Sequence, residues 1–273
     1  MTETPVRHGD LRRVTTRSFH LQALLTPERM QGLAFGFALL PVLRRLYPAT
    51  EECGRALKRH LAYFATHPVL GSYVLGAAAR LEERRAAGEP IDDAAIDRVK
   101  RSMASPLAAM GDPLFWVTLR PLAGLAGVLA LALLPPPATG DPDVRVLLCP
   151  LALLLTYNAV ALPFRLRGVA RGYAAADRPG ALLRSLPLLA WNAFLERAGA
   201  FAFGALVAIG ALGATGLAAG AAAGEALRTA QTAAPPLLLG GAIAAIGCSR
   251  RAGRTVETGL VALTAAVLLA LVL

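Results

Sequence analysis

From Leu114 to Leu134 the chain reads LFWVTLRPLAGLAGVLALALL, with one charged residue in the whole run. A helix needs about 20 mostly apolar residues to cross the hydrocarbon of a bilayer. Peptide groups in lipid find no water, and a helix satisfies them within its own segment. This run therefore restricts the chain to an all-α integral membrane fold. Four more candidate spans follow: Val144 to Phe164, Ala200 to Ala223, Pro235 to Gly247 and Gly259 to Leu273. The fourth is short and reads as a paired or re-entrant segment. The third is crowded with Gly and Ala, which let helix backbones approach closely, so it is expected to pack against protein. Composition agrees with a membrane setting: 17% of the residues are charged, against about 25% in soluble domains.

The formal net charge is +10. Such a balance fits nucleic acid or a cytoplasmic membrane face. Aromatic residues make up only 6% of the chain and are not interleaved with the basic ones, so no nucleic-acid partner is expected. The basic residues instead alternate between loops. Pro135 to Asp143 carries two aspartates and no cation, Arg165 to Arg197 carries six arginines, Gly224 to Ala234 holds Arg228 alone, and Arg250, Arg251 and Arg254 follow. By the positive-inside rule this places the N-terminus in the cytoplasm and the C-terminus outside after about five crossings. The polar, basic opening MTETPVRHGDLRRVTTRSFH does not read as a signal peptide.

Residues 1–112 differ in character from residues 113–273. The stretch Pro27 to Pro48 has an apolar centre too short for a comfortable span and ends in Arg44 and Arg45, so it reads as an interfacial or re-entrant helix. A second helical stretch breaks at His67–Pro68, resumes, and stops at a charged, glycine-containing tail. In IDDAAIDRVKRSM, Asp92 or Asp93 is placed to cap a helix whose apolar face holds Ile96 and Val99. The N-terminal region is thus a set of amphipathic or re-entrant helices at the cytoplasmic face, followed by the transmembrane region. Cys53, Cys149 and Cys248 are scattered and read as small apolar fillers. No nucleophile elbow, P-loop or HExxH is present, and the four histidines have no metal-ligand spacing with acids, so neither intrinsic catalysis nor a metal is expected.

A few polar residues stand out against this background. Asp112 precedes Pro113 at the threshold of the first span; it reads as the N-cap of a helix starting there, and equally as a functional carboxylate at membrane depth. Arg120 lies eight residues on, about two helical turns, and reads as its ion-pair partner. Trp116 fits an interfacial belt. His67 is either the polar tip of a kink or a hydrogen-bonding group for a hydroxyl. Glu28 and Gln31, three apart on one expected helical face, reach towards a ligand or form a solvated helix start. Glu196, just before a span, reads as an interfacial anchor or an intersubunit pair.

The stretches RSFHLQ, PERMQGLAFGFALLPVLRRLYP, LKRHLAYFATHPVLG, LEERRAAGEPIDDAAIDRVKRSMASPLAAMGDPLFWVTLRP and YNAVALPFRLRGVARGY together resemble the enzyme IID component of mannose/fructose/sorbose-type phosphotransferase (PTS) transporters. The resemblance covers most of Arg17 to Tyr173; the last third matches mainly in hydropathy and in LERAGAFAFGALV. It departs from the usual pattern at Thr26, Ala65 and His67, where amides are customary, and at Ser105 and Ala109, where glycines are. The resemblance implies a bacterial inner-membrane subunit that pairs with a membrane IIC subunit to translocate sugar. Soluble IIA and IIB proteins carry the phosphate, and the complex is a trimer of IIC–IID pairs. It implies no cofactor in this chain, and makes Asp112, Trp116, His67, Glu28 and Gln31 candidate sugar contacts, with Arg120 and Glu196 structural. A non-transporting scaffold or regulatory relative that kept the fold is the alternative.

Overall fold

The computed structural model describes residues 5–133 and 144–218, and among these every regular element is helical. In order they are α1 (His8–Arg17), a 3₁₀ turn (Ser18–Gln22), α2 (Gly32–Leu46), α3 (Thr50–His60), α4 (Gly71–Ala86) and α5 (Asp93–Asp112). A π-helical stretch (Pro113–Leu119) leads into α6 (Arg120–Leu133), and α7 (Leu148–Ala174), α8 (Pro179–Ser185) and α9 (Leu188–Ala218) follow. The helices form two compact units. One holds the described residues up to Val117 together with Asn158–Ala190; the other holds those of Thr118–Tyr157 and from Trp191 onward. A division of the sequence at 112 and 113 sorts helices by expected exposure to lipid, whereas the compact units are defined by packing and interleave along the chain.

In the first unit α2 is the central element. Ala34, Phe35, Ala38, Leu39, Val42 and Leu43 are fully buried, at spacings that form one broad helical face. That face is covered by α1, α3 and α4. The helix expected to lie in the membrane interface is therefore a core helix, because its apolar run is covered by neighbouring helices. Several local signals act as read. Asp92 caps α5, its carboxylate accepting from the Ala95 N–H at 2.6 Å. The chain stops after α4 at Gly88, whose φ of 98° favours glycine. In α3, Glu51 and Glu52 open the helix and Lys58, Arg59 and His60 close it, as its dipole favours.

The crossing of α4 and α7 is as close as backbones allow. A Cβ at Gly172 would lie 1.9 Å from the Tyr73 carbonyl oxygen, one at Gly168 1.9 Å from the Ser72 hydroxyl, and one at Gly76 2.0 Å from the Val169 carbonyl oxygen. Only glycine fits at these points, in the manner of small-residue contacts between membrane helices.

Two expectations are corrected. No helix starts at Pro113: α5 runs through Asp112, Pro113 has helical angles of φ −59° and ψ −46°, and the chain stays helical into α6. Proline cannot donate, and its ring collides with the carbonyl four residues back. The wider π turns begin at Pro113 and accommodate it without ending the helix. Asp112 is therefore not an N-cap. Secondly, the arginines from Arg165 to Arg197 do not share one loop; all but Arg178, which precedes α8, lie on helices. Arg165, Arg167 and Arg171 belong to α7, Arg184 to α8 and Arg197 to α9. Among the described residues three helices are long and apolar enough to span a membrane: Asp93–Leu131, Leu148–Ala174 and Pro179–Ala211. The fourth and fifth expected spans and the loop from Pro135 to Asp143 lie outside the described residues.

Gly172→Ala is expected to destabilise the chain by about 1–3 kcal/mol through overpacking. Gly199→Ala, where an added Cβ meets nothing within 4 Å, serves as the neutral control. Thermal unfolding of both variants in detergent checks this, and equal stability would contradict the close crossing.

Candidate functional site

The segment around His67 is held by a set of short-range ties in the first unit. Met30, with a left-handed φ of 50°, turns the chain before α2. Its N–H donates to the Thr26 carbonyl at 2.8 Å, and the Gln31 N–H donates to the Phe64 carbonyl at 2.8 Å. The Gln31 side chain then brackets one peptide: its Nε2 donates to the Thr66 carbonyl at 2.7 Å and its Oε1 accepts from the Thr66 N–H at 3.3 Å. The Thr66 hydroxyl donates to the Ala104 carbonyl of α5 at 2.8 Å. Residue 67 is thus fixed between α2 and α5.

The His67 ring is 1% exposed. It stacks on Phe115 with centroids 4.5 Å apart and meets the edge of Trp116 at 5.5 Å. Gly111 makes room for it, since a Cβ there would lie 2.7 Å from the His67 Cβ. His67 Nδ1 accepts from the Val69 N–H at 3.3 Å. That fixes the tautomer, with the proton on Nε2, and Nε2 is buried without a partner among the described residues. Burial, with a smaller effect of the Arg165 charge, lowers the His67 pKa to about 3. The ring is a neutral donor in an aromatic setting. Asp112, beside this cluster in sequence, is exposed and makes no hydrogen bond or ion pair among the described residues.

The other candidates fall elsewhere. Glu28 sits exposed in the turn before α2, and Gln31 occupies the N-cap position of that helix. The helix starts at Gly32, so the shared helical face expected for Glu28 and Gln31 is not formed, and the Gln31 amide is occupied by Thr66. In the second unit Glu196 accepts from Asn192 Nδ2 at 2.8 Å, and Asn192 Oδ1 accepts from the Thr118 hydroxyl at 2.9 Å. This polar chain includes Thr118 and Asn192, which the sequence reading passed over. Arg120 opens α6. No three His, Cys, Asp or Glu side chains converge as a metal site among the described residues.

A second polar centre was not expected at all. Glu82 has a fully buried carboxylate. Its Oε1 accepts from Arg59 Nε and His60 Nε2, both at 2.7 Å, and its Oε2 accepts from the Tyr47 hydroxyl at 2.7 Å. Burial acts to raise its pKa, but the hydrogen bonds from His60 and Arg59 outweigh this and hold it at about 2. Burial lowers the pKa of His60, so that ring is neutral and donates from Nε2. The signal was available: Leu75, Ala78, Ala79 and Glu82 share the buried face of α4, but the run LEERR reads locally as a solvated tail.

The family described as "PTS system mannose/fructose/sorbose family IID component" matches residues 5–208, which contain both polar centres and the helices that carry them. The chain belongs to this family. The mannose-specific EIID component of Escherichia coli (strain K12) is 38% identical over 192 residues, 68% of this chain and 64% of that relative. The sorbose-specific EIID component of Klebsiella pneumoniae is also 38% identical, over 68% of this chain and 66% of the relative. This chain thus aligns with a little under two thirds of the length of these relatives. A solved chain from a complex titled "CryoEM Structure of Mannose Transporter ManYZ and Microcin E492 (MceA) complex" is similar in fold, with a TM-score of 0.56, 38% identity, and coverage of 75% of this chain and 71% of that one. The IID resemblance seen in the sequence is borne out, as is an α-helical membrane fold.

Stability of this IID chain should fall in acid, by two routes of the same sign. His67 is held neutral in the fold, so protonation of the unfolded chain below its ordinary 6.5 costs stability until about 3. The Glu82 contribution is complete above its ordinary 4.5 and is lost as pH falls towards about 2. Between pH 6.5 and 4.5 the open route is that of the buried histidines, His67 and also His60, whose pKa burial lowers as well. In that window His67→Gln should show a shallower decline in thermal stability than the unaltered chain. Parallel declines would mean that His67 takes up a proton in the folded state.

Proposed function

We propose that the chain is the membrane IID subunit of a PTS sugar permease, forming with a IIC subunit the translocation unit for a mannose-, fructose- or sorbose-type sugar. The observation that carries this reading is the family match across residues 5–208, together with identity to mannose- and sorbose-specific relatives. Phosphoryl transfer belongs to IIA and IIB partners, and the assembly is a trimer of IIC–IID pairs in the bacterial inner membrane. The His67–Phe115–Trp116 cluster supports a polyol-binding role, since it offers aromatic faces and an unpartnered donor. Asp112, exposed and without a partner among the described residues, supplies a carboxylate acceptor for hydroxyl groups. Gln31 acts by positioning Thr66 and His67. Gly204 and Gly210 leave open space beside α9, where a IIC helix fits closely.

Co-expression with a IIC-type membrane protein, purification and a sugar-binding screen test this reading. Asp112→Asn should keep the yield of the complex and weaken sugar binding by about 10- to 100-fold, the value of a charged hydrogen bond of roughly 1.5–3 kcal/mol. Normal assembly and normal uptake in the variant would remove Asp112 from the site. Failure of the pair to form, with no sugar bound, would favour the scaffold relative instead.

Orientation is proposed from the alternating arginines. Accessibility tags at Thr139 and Leu273 should report from outside and tags at Arg178 and Gly253 from the cytoplasm. Labelling of Arg178 from outside would reverse the topology.

A further inference from the structure

We infer that a cavity between the end of α7 and α8 is a binding site for the phosphate of an anionic phospholipid headgroup. The cavity has a volume of about 630 Å³, and its lining includes Arg171, Ala174, Asp177, Arg178, Leu182 and Ser185. Volumes of about 300–1,000 Å³ are usual for sites that enclose a small molecule, and this one exceeds what a bare phosphate needs.

Its charge is one-sided. Arg171 donates to the Ser185 hydroxyl at 3.2 Å, so its guanidinium is oriented by a neutral group, and it makes no ion pair with a carboxylate among the described residues. Arg178 makes no hydrogen bond or ion pair through its side chain among the described residues, and Arg167 and Arg184 make no ion pair there either. The one acid in the lining, Asp177, is paired with Arg84. Arg59, Arg80, Arg85 and Arg101 of this unit are matched by Glu82 and Asp93, Glu83, Asp93 and Asp97 in turn. At the cavity Arg171 and Arg178 come together with no carboxylate paired to either among the described residues.

Its height in the membrane decides the anion. In the helix Leu148–Ala174 the uncharged run ends at Phe164, and Arg165, Arg167 and Arg171 occupy the turns that lead to the cavity; the next apolar segment, Pro179–Ala211, begins at it. A basic stretch directly after a spanning run falls in the headgroup layer. Basic pockets between spanning helices at that level hold lipid phosphates. Ala174 and Leu182 give the glycerol end an apolar wall, while Arg171 and Arg178 supply donors to the phosphate; the Ser185 hydroxyl, which donates to the Leu182 carbonyl, orients Arg171. The inference rests on the membrane fold and not on sugar transport, so its failure would leave the proposed transport role standing.

Native mass spectrometry of the full chain in non-ionic detergent, titrated with short-chain phosphatidylglycerol or phosphatidylcholine, tests it. Phosphatidylglycerol should bind one to one and outcompete phosphatidylcholine. Arg178→Gln should weaken phosphatidylglycerol binding about fivefold, and the double variant R171Q/R178Q about 30-fold, given the usual contribution of one basic side chain near an anionic lipid. Arg171→Lys, which keeps the charge, should bind within about twofold of the unaltered chain on the same scale. Arg178 has no side-chain partner to lose, so the single variant remains decisive if the double one fails to fold. Equal binding of the two lipids, or an Arg178→Gln chain that binds as before, would overturn the inference. Glycerol phosphate that displaces phosphatidylglycerol and binds tightly alone would assign the cavity to a soluble phosphate ester and overturn the lipid source.

Discussion

A carboxylate removed from water ties the N-terminal helices together. Glu82 stands on the buried face of α4 and receives donors from the end of α2, through Tyr47, and from α3, through Arg59 and His60. Arg59 extends the network to Asp93 at the start of α5. Desolvating a carboxylate costs several kcal/mol, repaid only when the geometry is good and the remaining lone pairs are satisfied. Here three side chains bond the two oxygens. Lys100 lies over the ring of Phe35 at 4.9 Å, and Phe35 in turn stacks on His60 at 5.8 Å. Loss of the carboxylate would leave the largely buried Arg59 with the exposed Asp93 as its one ion-pair partner among the described residues, and breaking a buried pair costs about 3–5 kcal/mol. The same four helices carry everything else in this unit.

The His67 cluster is built on that frame by backbone contacts. Gln31 occupies the end of α2 and clamps the Thr66 peptide, and Thr66 in turn bonds the Ala104 carbonyl in α5. Only after these ties does the imidazole sit against Phe115 with one nitrogen unpartnered. A histidine with a neutral ring, a fixed tautomer and an aromatic wall is a specific donor, unlike the mobile amide or surface histidine that the bare sequence allows. The π turns beside it, from Pro113 to Leu119, belong to a class of helix irregularity frequent at functional sites.

Much of this was legible in the sequence where local chemistry decides the outcome. The Asp92 cap, the stop at Gly88 and the break before Gly71 follow from side-chain hydrogen bonding and glycine geometry, which need no knowledge of distant residues. The continuous helix through Asp112 was not legible. Asp followed by Pro is a good local helix start, and what keeps the chain helical there is long-range: Gly111 packed on His67, and Phe115 stacked on the same ring. Glu82 escaped for a related reason. A charge in a charged run looks solvated until its place on the apolar face of α4 is combined with partners 22 to 35 residues away. The arginines between Arg165 and Arg197 read as a loop in the sequence, whereas helices carry most of them. The family resemblance implies partners and a reaction that no spacing in this chain contains.

The glycine crossing of α4 and α7 also has a consequence for the order of events during synthesis. Arg80 in α4 meets Tyr173 in α7 across 93 residues of chain. A ribosome adding about 5–20 residues per second takes roughly 5–20 s to make that interval. Throughout it, the side of α4 bearing Ser72 and Gly76 has no backbone to lie against, although α1 to α3 are already complete. The N-terminal unit therefore cannot close before α7 has been made, and its final packing step waits on a helix long and apolar enough to span a membrane.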